Sequence, residues 1–144
     1  MNDVPRPVTP VFERALVVAP SDLDERAHVN NVVYLRWVQD VATAHWEALA
    51  SAEVRARIAW VALRHEIDYL APGRLGDAIV LRTWVGFAEG LAFERFTEVT
   101  RPADATLLAR ARTLWCPIDA TTGRPRRVDA AVRALVSADP PPAQ

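Results

Sequence analysis

Residues 30–70 read NNVVYLRWVQDVATAHWEALASAEVRARIAWVALRHEIDYL, and within them the spacing of apolar side chains changes from one repeat to another. In the first half Tyr34, Trp37, Val38, Val41, His45, Ala48 and Leu49 recur at three- and four-residue steps. That spacing predicts one amphipathic helix over about 30–51. Arg36, Asp40, Thr43 and Glu47 make the opposite, polar stripe. Alanines lighten the remainder, so the helix can be buried on most sides. From Ala59 the repeat becomes two. Val61, Leu63, His65, Ile67 and Tyr69 share one face, and Arg64, Glu66 and Asp68 take the other, as a half-buried strand requires.

Working outward, VFERALVV (11–18) predicts a strand before the helix. After residue 70 the chain continues as strands in hairpin succession. APGRLGD is a turn, and AIVLRTWVGF carries Ile79, Leu81, Thr83 and Val85 on one face. AEG supplies hairpin chemistry at Gly90. LAFERFTEVTR sets Leu91, Phe93, Arg95 and Thr97 against Ala92, Glu94, Phe96 and Glu98, and TLLARARTLWCPID is the last strand. TTGRPRR is a loop and VDAAVRALVS a short closing helix. One long helix and one antiparallel sheet pack most economically with the sheet around the helix. The expected class is therefore α+β, as one domain over 1–144 with its core in about 11–136. Pro5, Pro7 and Pro10 mark a loose N-terminal arm, and ADPPPAQ a frayed tail. Trp84 and Phe96 fall on the nominally outer strand face, where a lone chain would expose them. This points to at least a homodimer, either a dimer or a dimer of dimers.

Composition excludes several classes. No apolar run approaches the ~20 residues of a membrane span, and MNDVPRPVTP has no basic start or apolar core of a secretory signal. Net charge is −1, which gives no global attraction for nucleic acid. Cys116 is the only cysteine, so no internal disulfide forms and a reducing cytoplasm fits. In LWCPID it reads as a small buried hydrophobe. His28, His45 and His65 lie 17 and 20 residues apart in sequence, which matches no usual zinc spacing. Neither metal nor cofactor is expected. His45 reads as a core or interface histidine. All 17 basic residues are arginine, and Arg124, Arg126 and Arg127 form the densest group. That group is either a solvated loop or a clamp for phosphates.

Chemistry concentrates in SDLDERAHVNN (21–31), just ahead of the helix. Asp22, Asp24, Asn30 and Asn31 are ordinary capping and turn residues. The first amides of a helix also lack intrahelical partners and sit at its positive end. A carbonyl oxygen placed there is polarised, and a developing oxyanion is held more strongly. A carboxylate such as Asp24 can then attack that carbonyl or activate a water, with His28 positioning one or the other. On spacing alone, capping and catalysis both remain open.

The run SDLDERAHVNNVVYLRW resembles the signature of hotdog-fold thioesterases, both plant acyl-ACP thioesterases and bacterial acyl-CoA thioesterases of the 4-hydroxybenzoyl-CoA type. The likeness spans roughly 11–136, with IDYLAPGRLGD and DATTGRPRR as further, less specific turns. It implies a five-stranded antiparallel sheet wrapped around one central helix, and dimers with sites between protomers. It places the catalytic carboxylate on Asp24, the histidine on His28 and the oxyanion-holding amide near Asn31. Arg26 stands where the plant enzymes carry Asn, and Ala71 or Pro72 where their second repeat carries an acid or cysteine. A single-hotdog acyl-CoA enzyme is therefore expected, with acyl-CoA as substrate and with Tyr34, His65, Arg126 and Arg127 as substrate-binding candidates. The alternatives are a hotdog dehydratase or hydratase, and a non-catalytic acyl-CoA-binding module.

Overall fold

The computed structural model describes residues 5–139. β1 (Phe12–Val17) leads through a short 3-10 turn at Pro20–Asp22 to α1 (Asn31–Leu49). α2 (Ala52–Arg57) follows, capped by the Ser51 hydroxyl on the Val54 amide. The remaining elements are β2 (Ile58–Tyr69), β3 (Ala78–Glu89), β4 (Ala92–Arg101), β5 (Thr106–Asp119) and α3 (Ala130–Val136). The strands form one antiparallel sheet in the order β1-β3-β4-β5-β2. The α+β arrangement of a five-stranded sheet and one long helix is thus as expected. α2 was not foreseen; its six residues are too few to show a repeat. Part of the tail read as frayed, 140–144, lies outside the described residues.

The sheet presents its concave face to α1. Leu81 and Thr83 of β3 are buried there, with Thr97 and Val99 of β4 and Ala109, Ala111 and Thr113 of β5. α1 answers with Val33, Tyr34, Trp37, Val38, Val41, Ala42 and His45. Each of the large apolar side chains contributes roughly 1.5–3 kcal/mol by leaving water. Only this face of the helix is covered. Val32, Gln39, Asp40, Thr43, Glu47 and Ala48 remain exposed, so burial on most sides is not realised within one chain.

The opposite sheet face is held by ion pairs between neighbouring strands. Arg82 bridges Glu13 and Glu98 at 3.2 Å each, Arg110 meets Asp68 at 3.0 Å, and Arg112 holds Glu94. Such pairs are worth only about 0–1 kcal/mol apiece, so the concave face carries most of the stability. Trp84 and Phe96 lie on this outer side but are 2% and 4% exposed in the single chain, stacked at 5.9 Å. The terminal segments reach the same end of β3, with Thr9 Oγ1 donating to the Val85 carbonyl and the Ala138 amide to Gly86. These two aromatics therefore give no argument for a second copy.

A second correction concerns β2. Its pairing with β5 slips by one residue between Ala62 and Arg64. A bulge of one residue reverses which side chains face inward. His65, Ile67 and Tyr69 keep the inner face, but before the bulge that face belongs to Ile58, Trp60 and Ala62. Val61 and Leu63, expected inside, are 41% and 56% exposed. Among the described residues β2 pairs only with β5, so its other edge is open there.

Under α1 the concave face carries a polar band between two apolar clusters. One cluster gathers around Val29, Tyr34, Trp37, Ile79 and Leu108, the other around Ile58, Phe93, Val132 and Val136. In the band, buried Arg95 donates through Nη1 to His45 Nδ1 at 2.8 Å and to Thr83 Oγ1 at 3.1 Å. Thr97 donates to Thr83, and Thr83 to the Phe96 carbonyl. Phe12 stacks on the His45 ring at 4.9 Å. Burial first, and the Arg95 charge second, pull the His45 pKa down from 6.5 to about 4. His45 is therefore neutral at pH 7, with Nδ1 as the acceptor.

A histidine whose folded pKa is depressed contributes its full stability above pH ~6.5 and loses it as the pH falls toward about 4. The loss is on the order of 3 kcal/mol over that window. Chemical denaturation of wild type and His45→Gln at several pH values across this range measures it. The variant is expected to show a clearly flatter acid slope; parallel slopes would mean that His45 takes up its proton without strain.

Candidate active site

The loop before α1 is built by its acids. Asp22 is 5% exposed. Its carboxylate accepts the Ala19 amide at 2.8 Å and Arg36 Nη2 at 2.8 Å, and its carbonyl accepts the Asn30 amide. It ties the end of β1 to the first turns of α1. Asp24 Oδ1 accepts the amides of Arg26 at 2.8 Å and His28 at 3.2 Å. The Asp24 amide donates to the His28 carbonyl at 2.7 Å, and the Asp24 carbonyl accepts from Ala27. This turn puts Ala27 at φ 59°, a left-handed conformation that costs a side-chain-bearing residue about 1–2 kcal/mol. Strain of this kind persists where the surroundings over-determine it, often beside functional groups.

The turn 70–77 clasps the same place from the other side. The Val29 amide donates to the Gly73 carbonyl at 2.8 Å, and the Gly73 amide to the Tyr34 hydroxyl at 3.1 Å. A Cβ on Gly73 would lie 2.8 Å from Val29 Cγ2, so only glycine allows this approach. Tyr69 at the end of β2 donates to the Asn31 carbonyl at 3.2 Å. The start of α1 is thus fixed by β1, β2 and the turn after β2.

Asn30 is the N-cap, its Oδ1 accepting the Val32 amide at 3.0 Å, and its carbonyl takes the Val33 amide. Around this helix end the second carboxylate oxygen of Asp24, the His28 ring and the Asn31 amide are among the groups that have no partner within the described residues. Asp24 and His28 are half-buried and Asn31 is exposed, so all three can be approached from solvent. Asp24 and His28 are four positions apart, and the 2.7 Å amide–carbonyl bond draws them into one tight turn.

The other candidates lie elsewhere. Tyr34 is in the core, its hydroxyl occupied by Gly73. His65 sits on the concave face, Nδ1 at 3.0 Å from Thr113 Oγ1, with Nε2 buried and unpartnered. Burial lowers its pKa. Arg126 pairs with Asp119 at 3.2 Å, whereas Arg127 is exposed and has no ion pair among the described residues. Their loop joins the start of β2, where the Ala120 amide donates to the Arg57 carbonyl. That is the far end of α1 from Asp24, about 27 Å along an 18-step helix. Cys116 is buried, as expected. No cluster of His, Cys, Asp or Glu suited to a metal occurs among the described residues.

A cavity of about 340 Å³ also lies at the far end. Its walls include Ala42, Trp46, Ile58, Trp60, Phe93, Arg95, Trp115 and Val136. None of Asp24, His28 and Asn31 belongs to it. The sequence reading passed over this feature, although its signal was present. Strict alternation in LAFERFTEV places Arg95 on the same face as Phe93 and Thr97, and a charge on a dry face is the informative exception.

Comparison with known proteins bears on the fold and the family. A search of the curated proteins finds no match. Among solved structures, a 1,4-dihydroxy-2-naphthoyl-CoA thioesterase from Synechocystis superposes with a TM-score of 0.76 at 19% identity, over 88% of this chain and 96% of that one. YbaW from Escherichia coli, described as a probable thioesterase, gives 0.76 at 22% identity, over 85% and 94%. A Staphylococcus aureus protein solved in complex with CoA gives 0.77 at 17% identity, over 92% and 85%. At these identities the likeness establishes the hotdog fold. The family model of the thioesterase-like superfamily matches residues 18–136, from the end of β1 to the end of α3. The chain belongs to the thioesterase-like superfamily and is by family a thioester hydrolase.

Proposed function

We propose that the protein hydrolyses acyl-CoA thioesters to a free acid and CoA, with Asp24, His28 and Asn31 as the reacting constellation. The observation that carries this reading is that a carboxylate oxygen of Asp24, the His28 ring and the Asn31 amide lie together at the helix start, unpartnered and open to solvent. In the general-base form, the Asp24 carboxylate takes a proton from water as the water oxygen attacks the thioester carbonyl. The Asn31 amide, at the positive end of α1, holds the oxyanion. Collapse of the intermediate breaks the carbon–sulfur bond, and the CoA sulfur recovers the proton. In the nucleophilic form, Asp24 attacks the carbonyl directly and expels the CoA thiolate, and water then cleaves the mixed anhydride. His28 orients the thioester carbonyl or the water in both.

The competing role for Asp24 is visible in its Oδ1, which holds two loop amides. Asp24→Asn separates the two roles, because an amide oxygen still accepts those bonds but is a poor base and nucleophile. The expected outcome is a folded protein with at least a ~100-fold lower kcat on a good acyl-CoA substrate, since general-base catalysis is worth ~10²–10⁴. Asp24→Ala is expected to lose about 1 kcal/mol of stability as well. Near-wild-type hydrolysis by Asp24→Asn would make the carboxylate a loop cap only. Unchanged CoA-ester binding without turnover in that variant sets catalysis apart from a binding module.

The site is proposed to be completed by a second copy. The open edge of β2 carries exposed Val61 and Leu63, an exposed apolar edge of the kind that pairs with another strand. Two such edges meeting about a two-fold axis normal to the sheet run antiparallel. The Ile58 end of the partner's strand then lies beside this chain's Tyr69 end, and Tyr69 is bonded to Asn31. Each helix start would so face the partner's far end, with its arginine loop and cavity. Leu63→Glu is expected to give a monomer by light scattering and to lose most turnover. An active monomer would locate the whole site within one chain.

In that assembly the arginine loop comes within reach of the CoA phosphates in trans. Arg126→Ala with Arg127→Ala is expected to raise KM for CoA esters several-fold and leave kcat nearly unchanged, because contacts far from the reacting carbon bind ground and transition states alike. Most of the effect should reside in Arg127, since Asp119 already holds Arg126. An unchanged KM returns the loop to solvent.

A further inference from the structure

We infer that the cavity at the far end of α1 binds a small carboxylic acid with an aromatic or alkyl body, its carboxylate paired with Arg95. The inference concerns equilibrium binding within one chain and needs none of Asp24, His28 and Asn31, which the cavity does not contain.

Arg95 is 7% exposed and lines the cavity. Among the described residues it has no carboxylate partner. Its hydrogen bonds there run from Nη1 alone, to His45 and Thr83, which leaves Nε and Nη2 without acceptors. Burial lowers the guanidinium pKa to about 10, so the cation is retained at neutral pH. His45 is neutral and cannot serve as a counter-ion. A buried cation without an anion is costly, and a carboxylate would offset that cost through the two free nitrogens.

The acids nearby do not fill the role. Glu94, in the wall, is held by Arg112 on the other sheet face. Glu47 is exposed on α1. Arg55 lines the cavity too and donates to the Ala50 carbonyl at 3.3 Å, so a second cation stands by.

The rest of the wall fits an apolar body. Trp46 and Phe93 each meet Trp60 edge-on, at 5.5 and 5.3 Å, and Trp115, Ile58, Val85 and Val136 complete the lining. Among the described residues the indole N–H groups of Trp60 and Trp115 are buried without acceptors, so a small side-chain adjustment would bring two more donors to a ligand oxygen. A volume of about 340 Å³ lies at the low end of the ~300–1,000 Å³ usual for small-molecule sites, which selects one ring or a short chain.

The test is a titration of the full-length protein with benzoate, phenylacetate and hexanoate, and with the three corresponding neutral amides. Calorimetry and tryptophan emission read binding, since Trp46, Trp60 and Trp115 are in the wall. At least one acid is expected to bind about tenfold or more tightly than its amide, the ordinary worth of one charge-assisted hydrogen bond. Arg95→Met is expected to abolish that discrimination. A measurement on the wild type does not depend on that variant folding: the Nε–H resonance of Arg95 should shift saturably with the acid and not with the amide. Equal affinity for acid and amide, saturation without a shift at Arg95, or no saturable binding of any acid would each overturn the inference.

Discussion

The rest of the structure depends on one face of one sheet being able to shed water. A nineteen-residue helix offers a stripe, and five strands offer a surface on which side chains alternate. The two match only if each strand keeps its apolar side toward the helix. β3, β4 and β5 do so with few exceptions, and the outer face is left to arginine–carboxylate pairs that contribute little individually. The exceptions are grouped. Thr83, Arg95, Thr97, Thr113 and His65 line up across four strands and meet His45 from the helix. A polar row on a dry face has to satisfy itself, and the Thr83 hydroxyl is its hub, bonded to Arg95, Thr97 and the Phe96 carbonyl.

That grouping separates the two ends of the helix. At its start, Asp22 and the Gly73 clasp make the backbone rigid, and the polar groups not used in that clasp face solvent. At its far end, aromatic side chains surround an unfilled space instead of filling it, because Trp46, Trp60 and Phe93 meet edge to face. In the proposed reaction the first end is where charge develops. The second is shaped for a body that stays put. β2 joins them, since its first residues wall the cavity and its last bonds to the helix start.

Most of this architecture was legible in the sequence because periodicity is a property of single elements. The helix stripe from Tyr34 to His45 and the alternation of β3 and β4 emerged at nearly their true limits. Three features were not. α2 is shorter than two turns, so no stripe can form. The bulge between Ala62 and Arg64 is invisible to a period of two, and it reversed the facing of Val61 and Leu63. Trp84 and Phe96 are covered by contacts between segments distant in sequence, which a single-strand pattern cannot contain. The site divides in the same way. Asp24, His28 and Asn31 form one local run, and the resemblance that this run carries, not its spacing, made them candidates. Tyr34 had two readings on a helix stripe, and the bond from the Gly73 amide to its hydroxyl is a contact that neither contained.

The misread bulge also alters the argument for assembly. With Val61 and Leu63 facing inward, the argument for a second copy from exposed apolar side chains rested on Trp84 and Phe96, which the chain buries by itself. With those two facing outward, the apolar surface lies on the open edge of β2, where unpaired backbone groups are already in need of partners. The same one-residue insertion turns Ile58 and Trp60 inward to wall the cavity. A regular β2 would place Val61 and Leu63 over the cavity and leave the edge with alanine and tryptophan. One extra residue in one strand therefore shapes both the apolar pocket and the edge through which a neighbouring helix start could face it.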